Sequence, residues 1–340
     1  MIHQKPYRIA HLTDLHAAAT WQPVLDAATL AAAGVPAVGS ILYALRQTMQ
    51  YLPVDAHLPL KALLGATGTA TALWAAMHHR KTRSMAKCAL AMLYQYNHSG
   101  TRRRKRLYRS LRENHVDHLI ITGDLTVTAH PAEFQKVCDE LAMFGYDRNN
   151  TTVVPGNHDR IHFPRSVTFE TFFPSVSFPD VREVSPGVIV AGVDSNIPES
   201  NWTLWDTITA NTRGYIDPVQ IKQMERALDG VRDETVIAGV HHLPARRRKT
   251  PLLPQPLKKT YAEEPEHAAD FRALIKQVDA LVLCGHDHPR HSRIVQFDGL
   301  KFCQGKASGL RFQHGTSYDI YDILPGRSIQ RIPMTVTRSA

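Results

Sequence analysis

Short apolar runs that end in polar clusters recur along the chain. Tyr7 to Leu12 leads into Thr13-Asp14-Leu15-His16, His118 to Ile121 into Gly123-Asp124, and Thr152 to Val154 into Pro155-Gly156-Asn157-His158-Asp159. Val188 to Val193 leads into Asp194-Ser195, Val236 to Val240 into His241-His242, and Ala280 to Cys284 into Gly285-His286-Asp287-His288. Brief apolar runs bounded by Gly, Pro or Asp predict strands buried on both faces. Between them the apolar spacing becomes helical. Pro131 to Phe144 sets Phe134, Val137, Cys138, Leu141 and Phe144 on one face, and Pro218 to Leu228 follows a capping residue, Asp217. Glu264 to Val278 aligns Phe271, Leu274, Ile275 and Val278. The alternation predicts an α/β fold, a sheet with helices on both faces, and ligands in such sheets bind at the carboxyl ends of strands. The tail reads differently: Ser292 to Phe302, Ser317 to Leu324 and Ser328 to Val336 predict antiparallel strands, with Asp298-Gly299 as a turn.

Composition adds two facts. Apolar residues at 43% and charged residues at 21% describe a globular chain with a large core, neither disordered nor fibrous. The net charge of +9 suits anionic partners: phosphate-rich substrates, lipid headgroups or nucleic acid. Cys88, Cys138, Cys284 and Cys303 form no CxxC pair, so no disulfide framework is expected and a reducing compartment is favoured. Met1 to Tyr7 is short and polar, which does not fit a signal peptide, and the expected address is cytoplasmic.

The polar clusters together offer carboxylates (Asp14, Asp124), an amide (Asn157) and imidazoles (His16, His241, His286, His288). Oxygen and imidazole donors without thiolate suit Mn, Fe, Zn or Ni at a catalytic centre. Seven donors exceed the needs of one ion and suit two that share a carboxylate. Such a pair, roughly 3.5–4 Å apart, activates a bridging water and clamps phosphoryl oxygens during in-line displacement. Gly156 permits a tight turn that brings Asn157 and His158 to the same crevice.

In order and local sequence these clusters resemble the calcineurin-like metallophosphoesterase family: D-x-H, G-D, G-N-H-D, H-H and G-H-x-H, over residues 7–16 and about 115–310. The resemblance implies a four-layer sandwich of two mixed β-sheets flanked by helices. It implies that Asp14, His16, Asp124 and His288 hold one ion and that Asp124, Asn157, His241 and His286 hold the second. His158 then matches the family histidine that contacts the substrate phosphate and protonates the leaving oxygen, with Asp159 expected to orient it. His242, followed by Leu243-Pro244 where the family often has two prolines, is read as standing behind the ligand His241 or facing substrate, and is a candidate substrate-binding residue. Asp194-Ser195 is read as structural, and His11, His115 and His118 as core-edge or surface groups.

More than a hundred residues separate Asp14 from Asp124, against a few tens in the family pattern, so an α-helical insertion is expected over residues 21–110 of a single catalytic domain. Residues 27–45 and 62–79 are uncharged and reach the length of about 18 at which a span becomes feasible, but Ala, Gly and Thr dominate and Pro36 would kink the first. Basic clusters follow, at His78 to Arg83 and Arg102 to Arg106. Three readings stay open: contact with an anionic membrane surface through residues 21–106, a soluble cap with solvated basic runs, or spanning helices. Arg246-Arg247-Arg248-Lys249 starts close to His241, and Arg246 and Arg247 are candidate contacts to an anionic substrate.

The expected function is hydrolysis of a phosphodiester or pyrophosphate bond, on a lipid-linked substrate such as that of the UDP-diacylglucosamine pyrophosphohydrolases. The enzyme would then sit peripherally on the inner face of the membrane. The alternative is a soluble phosphodiesterase of cyclic nucleotides or small phosphodiesters. A nuclease is disfavoured because no aromatic-studded groove is recognisable, and a non-catalytic scaffold because no ligand is missing.

Overall fold

The computed structural model describes residues 5–17, 100–127, 129–160, 168–197, 214–245, 264–287, 289, 291–308, 316–324 and 328–336. The expected insertion falls outside these residues except for its last stretch. Thr101–Glu113 forms helix α1, with Arg104, Leu107, Tyr108 and Leu111 buried along one helical stripe. Residues 101–110, assigned to the insertion from the sequence, are therefore part of the core packing.

Two sheets form. In the first, β1 (Tyr7–Leu12), β2 (His118–Thr122) and β3 (Thr151–Val154) run parallel. β10 (Thr316–Ile323) and β11 (Ile329–Val336) complete it antiparallel, in the order β11-β10-β1-β2-β3. The second contains β4 (Asp180–Ser185), β5 (Val188–Val193), β6 (Thr235–Val240), β7 (Leu281–Cys284), β8 (Arg293–Phe297) and β9 (Leu300–Gln304). Its order is β4-β5-β6-β7-β9-β8, with β5, β6, β7 and β9 parallel.

Strand alternation shows why both faces are buried. Ile120 of β2 points into a cluster with Ile9, Val190, Ile237, Leu283 and Tyr321, where the two sheets pack face to face. Its neighbours Leu119 and Ile121 point the other way, against Leu107 and Leu111 of α1 and Phe134 and Val137 of α2 (Pro131–Met143). On the far side, Val236 and Val240 meet Ile221 and Met224 of α4 (Pro218–Ala227) and Phe271 and Leu274 of α5 (Ala268–Gln277). A short helix, α3 (Phe169–Phe172), closes the α2 side. Each sheet thus carries helices on its outer face alone, because the other sheet occupies the inner one. This replaces the single sheet covered on both faces and matches the four-layer sandwich.

Local signals behave as capping chemistry requires. Asp217 accepts the Val219 N–H at 2.8 Å, and the His130 ring accepts the Ala132 N–H at 3.2 Å, each with proline next. α5 begins at Ala268 rather than Glu264, since Glu264 pairs with Arg272 and His267 adopts a left-handed φ of 62°.

His11 and His118 are buried inside the sandwich rather than at its rim. His118 meets Thr152 Oγ1 at 2.9 Å, and burial pushes its imidazole down to about 3, helped by Arg182 and Arg148. Unfolded chains take up that proton near 6.5, so stability is lost as pH falls from about 6.5 towards 3, at roughly 1.4 kcal/mol per pH unit. His118→Gln should flatten the dependence of urea-unfolding free energy on pH by that slope; an unchanged slope would refute the assignment.

Candidate metal centre

The carboxyl ends of β1, β2, β3, β6 and β7 meet at one edge of the sandwich, and their loops are stitched together by backbone. Asp14 N–H donates to Gly123 O (3.0 Å), His16 N–H to Asp124 O (2.8 Å) and Gly285 N–H to His241 O (3.0 Å). Four of the motif residues hold left-handed backbone: Asp14 (φ 54°), His16 (43°), Asp124 (52°) and His286 (69°). Each costs on the order of 1–3 kcal/mol and persists only where surroundings enforce it, a pattern concentrated at functional sites. Gly156 lies so close to Asp124 that a Cβ there would overlap the Asp124 carboxylate and backbone nitrogen.

The side chains converge. Asp14, His16, Asp124, Asn157 and His241 are buried, and His286 is partly so. His16 Nε2 lies 3.6 Å from Asp124 Oδ2 and 4.0 Å from Asp14 Oδ1. His241 Nε2 lies 3.0 Å from Asn157 Oδ1, 3.1 Å from His286 Nδ1 and 3.5 Å from Asp124 Oδ1. His288, Arg246 and Arg247 lie outside the described residues.

This arrangement fits bound cations for a reason visible in the hydrogen bonds. His241 Nδ1 is 2.8 Å from the Thr122 carbonyl, which can only accept, so Nδ1 carries the ring proton. Nε2 therefore presents a lone pair to the oxygens of Asn157 and Asp124, which present lone pairs in return. Such an encounter is unfavourable until a cation stands between the groups. The carboxylates agree: burial, then the charges of Asp14 and Asp159, hold Asp124 well above the usual carboxylate range. Three overlapping groups have donor atoms within 4.8 Å of one another: Asp14, Asp124 and His241; His16, Asp124 and His158; His241, His242 and His286.

His158 and Asp159 divide their work differently from expectation. His158 Nδ1 is 2.7 Å from the Val127 carbonyl, which fixes the tautomer, and the ring stands edge-on to His16 at 4.9 Å. Asp159 does not orient that ring. Its two oxygens accept Leu125 N–H (3.0 Å), Thr126 N–H (2.9 Å), Gly156 N–H (3.0 Å) and the Thr126 hydroxyl (2.8 Å), which uses all its acceptor sites. It instead ties the Asp124 loop to the Asn157 loop. The Thr122 and Val127 carbonyls escaped sequence reading, because every residue carries a backbone carbonyl and no residue type marks these two.

Other candidates separate from the centre. Asp194 accepts from Arg160 at 2.6 Å and caps Asn196 at 2.9 Å, a structural role. Thr13 Oγ1 donates to Asp14 Oδ2 at 2.6 Å, holding that carboxylate in place.

The profile of the calcineurin-like phosphoesterase family matches residues 7–290. A search of curated proteins found no match. Among solved structures, a dimetal phosphatase from Danio rerio is similar with TM-score 0.52 and 10% identity, covering 98% of this chain and 100% of that one. GAP50, the anchor in the inner membrane complex of Plasmodium, gives 0.42 and 9%, covering 99% and 90%. A purple acid phosphatase from yellow lupin seeds gives 0.43 and 12%, covering 69% and 48%. The first likeness supports the sandwich fold, and the profile match spans most of the chain. This chain belongs to the calcineurin-like phosphoesterase family and is a metal-dependent hydrolase of phosphoester bonds.

Proposed function

We propose that Asp14, His16, Asp124 and His288 hold one metal ion, that Asp124, Asn157, His241 and His286 hold a second, and that the pair hydrolyses a phosphodiester or pyrophosphate bond. The observation that carries this is the meeting of lone pairs at His241 Nε2, Asn157 Oδ1 and Asp124 Oδ1, with Asp124 shared between donor groups. Oxygen and imidazole donors suit Mn, Fe or Zn. Such ions, when bound, supply Lewis acidity toward phosphoryl oxygens and lower the pKa of attacking water. The chain's own part is orientation and proton transfer. Thr122 O keeps His241 in the ligating tautomer, and Val127 O keeps the proton of His158 on Nδ1. His158 meets the leaving oxygen through Nε2: as the imidazolium it carries a second proton there, gives it to that oxygen and returns to the neutral Nδ1–H form.

The substrate in this reading is lipid-linked, a nucleotide-diphospho-lipid such as UDP-diacylglucosamine, met at the inner face of a membrane. The uncharged stretches 27–45 and 62–79 support it, as does the outer face of α1, where Arg102, Arg109 and Arg112 are exposed. Arg104 is not among the cations such a surface would use, being committed to Glu140 inside the core. Among the described residues no helix is long and apolar enough to cross a membrane. Mn-loaded protein assayed on an aryl monoester, an aryl diester, a cyclic nucleotide and a nucleotide-diphospho-lipid should give its highest kcat/KM on the last. Preference for the cyclic nucleotide would overturn the lipid reading, and inertness toward all four would overturn the hydrolytic one.

A further inference from the structure

Two adjacent histidines leave β6, and their ring protons are set by different partners. His241 is protonated on Nδ1 by its bond to a carbonyl. His242 meets a hydroxyl instead. β5 and β6 are parallel neighbours with Val193 opposite Val240, and continuing that register by two residues brings Ser195 beside His242. Ser195 Oγ accepts the His242 backbone N–H at 3.0 Å and lies 2.9 Å from His242 Nδ1. Ser195 is fully buried, and among the described residues the only acceptor in reach of its hydroxyl hydrogen is that ring nitrogen. A hydroxyl has one hydrogen to give, and a neutral imidazole carries one N–H. Nδ1 is thus the acceptor, and the ring proton of His242 resides on Nε2.

The side chain is also held at its base. Gly214 lies so close that a Cβ there would sit 2.8 Å from His242 Cβ. Arg272 donates to Pro244 O at 3.0 Å, pinning the loop that carries it, and Leu243 is buried beneath. The His242 ring centroid is 4.5 Å from that of His286 and 4.9 Å from that of His241, so it stands at the wall of the centre.

We propose that Ser195 is a positioning residue that locks His242 as the Nε2–H tautomer, making His242 a hydrogen-bond donor to a phosphoryl oxygen rather than a metal ligand. The proposal rests on the reading of the centre given above, and it divides the histidine pair by function: the first ligates through a lone pair, the second donates through a proton. A donor to a charged oxygen contributes about tenfold to a hundredfold in binding.

The test uses zinc-loaded full-length protein labelled with 15N at histidine, with inorganic phosphate as the probe. In the wild type, long-range 1H–15N spectra should show His242 Nε2 protonated and Nδ1 not. Ser195→Ala and His242→Ala should each weaken phosphate binding by about tenfold or more, with full metal content. The double variant should be no weaker than His242→Ala, and Ser195→Thr should restore binding. A protonated Nδ1 in the wild type, additive losses, or loss of an ion in His242→Ala would overturn the assignment. A wild type that binds no metal would instead sink the centre itself, so the two failures are distinguishable; the wild-type spectrum decides the tautomer even if a variant fails to fold.

Discussion

Asp124→Asn should lower phosphoester hydrolysis by about 10³-fold or more and strip the protein of metal, while leaving the metal-free fold at least as stable as that of the wild type. The rate follows from losing the carboxylate proposed to be shared by ions that would stabilise the transition state by several kcal/mol, at 1.36 kcal/mol per tenfold. The stability follows from burial. Asp124 is 1% exposed, and its carboxyl is held well above the ordinary range by burial first and by Asp14 and Asp159 next. An amide of the same shape removes the repulsion and still leaves an oxygen for the His158 N–H, now 3.0 Å from Oδ1. Thermal unfolding with and without chelator should therefore shift in the wild type and not in the variant, since an ion that binds only the folded state stabilises it. Elemental analysis showing full metal occupancy, with a rate within tenfold of the wild type, would refute the centre. His158→Ala supplies the contrast. Its loss should cost about 10²-fold or more in turnover with metal retained, as for a proton-transfer residue. Metal loss there would make His158 a ligand in the group it shares with His16 and Asp124.

The second large effect lies far from the centre. Arg104 is fully buried and Glu140 is 3% exposed, and the guanidinium grips the carboxylate at 2.7 and 3.0 Å between α1 and α2. Breaking such a pair strands a charge in the core, at a cost of about 3–5 kcal/mol. Arg104→Met should reduce the urea-unfolding free energy by that amount. Adding Glu140→Leu to Arg104→Met should recover most of it, because apolar replacement of both partners is often neutral or stabilising. A single-variant loss below about 1 kcal/mol would mean the pair is effectively solvated. Specific activity of the folded fraction should not change, since neither residue reaches the strand-end loops.

Arg104 also shows where sequence reading stops. In Thr101-Arg102-Arg103-Arg104-Lys105-Arg106 helical spacing sets Arg104 on the stripe of Leu107, Tyr108 and Leu111, but nothing local supplies the partner that lets a guanidinium be buried there. Only the approach of α2, with Glu140 on its inner face, supplies it. β4 was missed for a related reason: Asp180–Ser185 is mostly polar and pairs antiparallel along β5 as an edge strand, so it shows no apolar run.

What the sequence determined by itself was the chemistry and most of the elements. Donor types are properties of side chains, and strand and helix periods are properties of neighbouring residues, so D-x-H, G-N-H-D and the apolar runs carried both. The tertiary structure decided what each buried face is buried against, which is why a single covered sheet became two sheets face to face. It also decided the proton positions. His241, His158 and His242 have different ring partners, at Thr122, Val127 and Ser195, and from the first two only backbone carbonyls take part. A carbonyl is the same at every residue, so where it points is known only once the chain has folded.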